Sequence, residues 1–244
     1  MEPYVFNQTF HLEHTHWWFR GLHELVMAVL QDYFPDSHRV QLLDAGCGTG
    51  GFLVRLQDVW PQSLGTDLSY EAIAFCRQRG LDRIFRGTVI NVPIRDGAID
   101  GIVCLDALYH RQVSNDLTAL REFYRLLKPG GMLVMNLPAF AFLNGSHDRA
   151  VHTRERYTVH QLRDRLQGAG FQVFRLTYRN LLLFPILLVK RGWDRHRVGA
   201  SDLSLLSGWL NTFLFRISQF ESWVLEHTDL PLGTSVFCVA KKPR

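Results

Sequence analysis

Several functional classes are set aside by what this chain has little of. It holds four cysteines in 244 residues. Cys47, Cys76, Cys104 and Cys238 lie far apart with no paired spacing, which argues against a disulfide framework and a zinc module and fits a reducing, cytoplasmic setting. Long apolar runs are missing too. The longest, LLLFPILLV at 181–189, is nine residues with a proline inside it, whereas a bilayer span needs about 20. The opening MEPYVFNQTF has neither a basic n-region nor a long apolar h-region, so no signal peptide is expected. Internal repeats and low-complexity tracts are absent. Charge of one sign is scarce: the net charge is +4, spread along the chain, and nucleic acid is not an expected partner.

What is present is abundant apolar sequence, 47% of residues, enough for a sizeable core. It is arranged as strands alternating with helices. VQLLDA (40–45) reads as a buried strand followed by the glycine turn GCGTGG and a helix to about residue 58. QSLGTD ends a second strand at Asp67, before a helix that Gly80 closes. DRIFRG is a third strand and DGIVCLDAL a fourth. A helix over 115–128 stops at Pro129-Gly130-Gly131, and MLVMNLPA is a fifth. TVHQLRDRLQGAG and FQVFRLTY add a helix and a strand, and TSVFCVAKK (234–242) is the last. The alternation implies right-handed crossovers and a parallel, doubly wound sheet.

Gly46, Gly48 and Gly50 follow the first strand directly. Glycine there allows a tight turn and lets backbone approach a ligand. Gly46, Gly48 and Gly51 also satisfy the dinucleotide pattern G-x-G-x-x-G, so an NAD-dependent oxidoreductase is an alternative on this loop alone. Asp67 ends the next strand, where it can accept hydrogen bonds from ribose hydroxyls. Asp44 lies two residues before the first glycine, where it either meets the cofactor or braces the loop.

Taken in order, LLDAGCGTGG, GTDLS, GTVINVPI, DGIVCLDALYH and LLKPGGMLVMNLPA resemble the class I S-adenosylmethionine-dependent methyltransferases over roughly residues 40–180. HWWFRG and HDRAVHTRERYT look like one subgroup of these enzymes. The resemblance implies a Rossmann-like sheet of seven strands with the last antiparallel, in one domain: a helical lid (1–35), a cofactor-binding core (36–180), a helical insertion (181–233) and the last strand (234–244). It implies S-adenosylmethionine as cofactor, with Gly46, Cys47 and Gly48 facing its methionine part, Asp67 its ribose and Leu68 its adenine. An acid that holds the adenine amino group in many relatives is replaced here by Thr88, leaving the Val89 amide. Leu105 would line the methionine side. Methyl would pass to oxygen, nitrogen or carbon of a small-molecule acceptor. A non-catalytic cofactor-binding protein is the other alternative.

The stretch EHTHWWFRG (13–21) is costly to leave in water. As part of an N-terminal amphipathic helix, Trp17, Trp18 and Phe19 would cover the cofactor, and Arg20 would pair with its carboxylate. His11, His14 and His16 do not share one helical face, so no metal is expected. A general base is needed only if the acceptor's proton must leave. His110 and His147 are candidates, with Tyr109 and Tyr157 orienting the acceptor. In the insertion, Leu203, Leu206, Leu210, Phe213, Ile217, Phe220 and Val224 form one helical stripe, expected to pack on the sheet. Leu205, Trp209, Phe215 and Trp223 are surplus, suited to an acceptor wall or a dimer contact, so the chain is expected to be monomeric or dimeric. LLLFPILLVKRGWDRHR, apolar then basic, suits peripheral contact with a membrane surface.

Overall fold

A computed structural model describes residues 1–35, 39–186, 188 and 206–244. Seven strands form one sheet: β1 (Leu42–Ala45), β2 (Leu64–Asp67), β3 (Ile84–Arg86), β4 (Ile99–Leu105), β5 (Leu127–Pro138), β6 (Gln172–Arg179) and β7 (Ser235–Lys241). Their order is β3-β2-β1-β4-β5-β7-β6. The neighbours from β3 to β5 pair in parallel. β7 runs antiparallel between β5 and β6, so the doubly wound sheet expected from the alternation is the one observed. The strand order reverses between β1 and β4, and ligands of such sheets bind at that point, outside the carboxyl ends.

The helices are α1 (Pro3–Leu12), α2 (Trp17–Tyr33), α3 (Gly51–Val59), α4 (Tyr70–Gln78), α5 (Asp116–Leu126), α6 (Ser146–Ala150), α7 (Val159–Gly168) and α8 (Gly208–His227). Local chemistry sets their starts. Ser69 accepts from the amides of Glu71 and Ala72 at the head of α4, Asn115 caps α5, and Thr158 with Gln161 forms a capping box on α7. Each such cap stabilises its helix by about 1 kcal/mol. Buried side chains of α5 and α7 form one core with Leu133, Met135 and Leu137 of β5. Those of α2 and α3 form the other, with Val103, Val134 and Phe237.

Two expectations change. The N-terminal segment is two helices, not one: the chain turns at Glu13–His16, and His16 caps α2 by accepting from the Trp18 amide at 3.4 Å. The second change concerns α8, whose apolar stripe packs inward only in part: Val224 meets the core, while Leu210 and Ile217 are half-buried. Its buried residues are Phe215, Ser218, Glu221 and Leu225, whereas Phe213 and Phe220 are exposed. The cause lies in β6. Where that strand ends, the amides of Asn180 and Leu182 face α8, and Glu221 accepts from both. Buried amides without an acceptor are costly, so the face carrying Ser218 and Glu221, flanked by Phe215 and Leu225, turns in, and Phe213 and Phe220 turn out. Leu203 and Leu205 lie outside the described residues.

α2 meets α8 across Gly21. A Cβ built there would lie 2.1 Å from Ser218 Oγ and 3.3 Å from Arg179 Nη2. Gly21→Ala is therefore expected to force α8 outward and cost about 1–3 kcal/mol by overpacking. Thermal unfolding reads this out, and a melting temperature equal to the parent's would contradict the packing described.

Candidate active site

A cavity of about 910 Å³ opens where the strand order reverses, near the top of the range of about 300–1,000 Å³ usual for ligand sites. One half is built on β1 and β2. Gly46, Gly48 and Gly50 have φ of 84°, 53° and 83°, the left-handed region that side chains resist. The amides of Gly46 and Cys47 donate to Thr66 O at 2.8 and 3.0 Å, which ties the loop to β2. A Cβ on Gly48 would meet nothing within 4 Å, so bare backbone faces the cavity. Asp67 accepts from the Gly48 amide at 3.0 Å and the Ser69 amide at 2.9 Å. Burial raises its pKa while these amides hold it down. Leu68, Thr88, Val89 and Leu105 complete this half.

Gly50 stands apart from the cavity. It starts α3, and a Cβ there would strike Leu81 and the Cys76 thiol at 2.6 and 2.9 Å, so close packing on α4 explains the glycine. Cys47 does line the cavity. Its thiol lies 3.9 Å from that of Cys76, and this contact and burial push its pKa well up, which makes it a poor nucleophile.

Asp44 is buried at the cavity wall with Oδ2 lacking a partner. Burial first, then the charges of Asp67 and Glu13, push its pKa up to about 8. A buried carboxyl with one unpartnered oxygen, beside exposed glycine backbone and the Asp67 carboxylate, fits a ligand with an amino group and vicinal hydroxyls. S-adenosylmethionine has both, so the residues present fit that cofactor. The raised pKa also carries a stability consequence. A carboxyl whose folded pKa exceeds its unfolded value of 3.8 stabilises the fold at low pH, and that contribution is lost as pH rises toward 8. Asp44→Asn is expected to be about 1–3 kcal/mol more stable than the parent at pH 8–9, with the gap closing toward pH 4. Denaturant unfolding across that range tests it, and a gap that widens at low pH would show the wrong sign.

EHTHWWFRG crosses the turn between α1 and α2, and Trp17, Trp18 and Phe19 line the cavity. Arg20 is not brought there. Its guanidinium lies 3.8 Å from the centre of the Phe215 ring on α8, since the side chain leaves α2 on the face that packs against that helix. Glu13 does the tying instead. It is buried and accepts from the Thr49 hydroxyl and from Arg79, both at 2.5 Å. Arg79 also donates to Phe10 O at 2.8 Å and Thr49 O at 2.8 Å. The segment is thereby strapped to the glycine loop and α4, and His14 touches Arg79 as well.

The other half of the cavity lies beyond β4 and β5. Asp106 directly follows β4 with φ 52°, an uncommon conformation for a non-glycine residue that tends to occur at functional sites. Its carboxylate accepts from Asn136 Nδ2 at 3.0 and 3.2 Å, and burial raises its pKa to about 6. His110 lines the same space with Nδ1 unpartnered, and burial lowers its pKa to about 4. Tyr109 is adjacent, its pKa raised by burial. His147 and Asp148 come from α6, and Arg156 grips Asp148 with two bonds of 2.8 and 3.0 Å. Tyr157 is not at the cavity. It is fully buried and donates to Asp116 at 2.8 Å, which makes it a structural pin. Asp106 was missed by reasoning from histidines, although LDALYH places it at the carboxyl end of a strand, where ligands of this fold bind.

Residues 43–135 match a family described as a methyltransferase domain. The malonyl-[acyl-carrier protein] O-methyltransferase of Pectobacterium atrosepticum is 32% identical over 164 residues, 63% of this chain and 62% of that one. The tRNA U34 carboxymethyltransferase of Syntrophotalea carbinolica is 30% identical over 158 residues, covering 57% of this chain and 47% of the relative. The chain thus spans less than two thirds of the length of these relatives. A S-adenosylmethionine-dependent methyltransferase structure from Archaeoglobus fulgidus superposes with a TM-score of 0.57 at 19% identity, over 90% of this chain and 94% of that one, which supports the fold. With the glycine loop, the two carboxylates and the order of the sheet, these likenesses make the chain similar to the S-adenosylmethionine-dependent methyltransferases, the match to their methyltransferase domain lying over residues 43–135.

Proposed function

We propose that this protein transfers a methyl group from S-adenosylmethionine to oxygen, nitrogen or carbon of a small-molecule acceptor. The observation that carries the reading is one continuous cavity with two chemically different halves. Around β1 and β2 it offers bare glycine backbone, Asp44 and Asp67. Beyond β4 it offers Asp106, Tyr109, His110 and His147. When bound, the cofactor supplies an activated methyl group. The protein's part is to hold the acceptor's nucleophile close and aligned, which supplies much of the rate, and to take its proton where one must leave. Asp106, with a pKa near 6, is a stronger proton acceptor than His110, with a pKa near 4. Residues 1–35 act as the lid on this cavity, and the insertion supplies Leu183, Leu206 and Leu214 to its acceptor half. All 244 residues act as one catalytic unit.

Calorimetric titration with S-adenosylmethionine, its demethylated product and NADH tests the cofactor. Binding of NADH but neither of the others would overturn the reading. Transfer of a labelled methyl group into extracts of the producing cell then tests turnover. The fractions should include tRNA, since some relatives carry tRNA in their names, and label in tRNA alone would overturn the small-molecule acceptor.

A further inference from the structure

Apolar side chains of the insertion, Leu183, Ile186, Leu206 and Leu214, line part of the cavity. Ile186 lines the cavity yet is 65% exposed, and Leu206 and Leu214 line the same wall. Seven of the twelve large hydrophobic side chains exposed among the described residues fall between positions 182 and 223. Four are on α8: Trp209 is 73% exposed, Phe213 56%, Phe220 55% and Trp223 57%. With Arg216 and His227 they recur at steps of four and three, which is one straight face of a helix. That face carries no acid and one permanent cation near its middle. An exposed aromatic patch of this kind marks a site of interaction.

We propose that the outer face of α8, together with the Ile186 rim, seats on an anionic lipid surface, and that the acceptor is an amphiphile entering the cavity from it. The second clause rests on the methyltransferase reading given above. Three features select lipid over a second copy of the chain. A two-fold contact centred on α8 brings the two Arg216 side chains together, because such a contact is self-complementary, whereas a guanidinium among aromatic rings matches lipid phosphates. Tryptophans near both ends of the face suit the interfacial layer of a bilayer. Ile186, both exposed and part of the cavity lining, also gives an amphiphile on such a surface an apolar contact with the cavity. No helix of the described residues is long and apolar enough to cross a membrane, so α8 lies in the surface plane.

The test is sedimentation of the full chain with vesicles of phosphatidylcholine alone, and of equal parts phosphatidylcholine and phosphatidylglycerol. The parent, Arg216→Glu and the double variant Phe213→Glu with Phe220→Glu are compared. The substituted positions are exposed, and S-adenosylmethionine titration on the same samples confirms a folded core. The parent should pellet with the anionic vesicles. The double variant should lose about tenfold or more of this partitioning, and Arg216→Glu several-fold. Absence of pelleting by the parent overturns the proposal. So does a parent dimer in analytical ultracentrifugation that the double variant dissociates, since the face then belongs to a second copy. In the label-transfer assay methyl should enter the organic phase of a lipid extract, and label confined to the aqueous phase overturns the acceptor class. Vesicle binding lost with cofactor binding intact defeats only this inference. Cofactor binding absent with vesicle binding intact defeats the methyltransferase reading.

Discussion

Asp67→Ala is expected to weaken S-adenosylmethionine binding about 10- to 150-fold, the factor for about 1.5–3 kcal/mol when hydrogen bonds to a charged group are lost. Asp67 ends β2 beside the glycine loop, so its carboxylate can meet ribose hydroxyls while still holding the Gly48 and Ser69 amides. Removing it leaves the hydroxyls facing a polar gap and frees the amide that shapes the turn at Gly48. Asp67→Asn separates these effects, because one amide oxygen can still accept from one neighbour. Its affinity should fall between those of the parent and the alanine variant. Calorimetry on folded protein measures all three, and an alanine variant within twofold of the parent would remove Asp67 from the ribose site.

Asp106→Asn is expected to reduce turnover about 10²- to 10⁴-fold, the usual contribution of a positioned proton acceptor, with cofactor affinity nearly unchanged. The side chain keeps its size, but asparagine cannot accept the acceptor's proton. The parent's rate should rise with pH through about 6 as Asp106 ionises, and this limb should vanish in the variant. A pH profile of turnover on the acceptor found by label transfer reads both features. Retention of the limb near pH 6 in the variant would assign it to another group.

Much of this architecture could be read from residue order alone, and the failures share a cause. The glycine turn was legible because positive φ and close backbone approach are local demands that glycine meets. The place of Asp67 beside the glycine loop was legible because it ends the strand next to β1. α8 was not, since periodicity shows that a helix has two faces but not which one the core needs. That choice depended on the amides of Asn180 and Leu182, met by Glu221 about forty positions later. Arg20 escaped for the same reason: its partner, Phe215, is reached only by tertiary packing. Tyr157 looked like a site residue by its place in HDRAVHTRERYT, yet its hydroxyl is taken by Asp116 on α5.

The placement of β7 has a kinetic consequence. Met132 of β5 pairs with Lys241 and Pro138 with Ser235, and among the described residues β6 joins the sheet through β7. Two of the sheet's ladders therefore form only after this late segment threads between two strands made much earlier. Until then β5 shows an open edge of unpaired backbone, a template for pairing with other chains. Pairings over such separations close slowly because the intervening loop's entropy is lost first. During synthesis the cofactor-binding half, β1 to β4, can collect its contacts early, while the half carrying β6 waits on β7. Aggregation during refolding is thus most exposed along β5, and haste in adding the final strand is worth more to yield than any gain in the core already assembled.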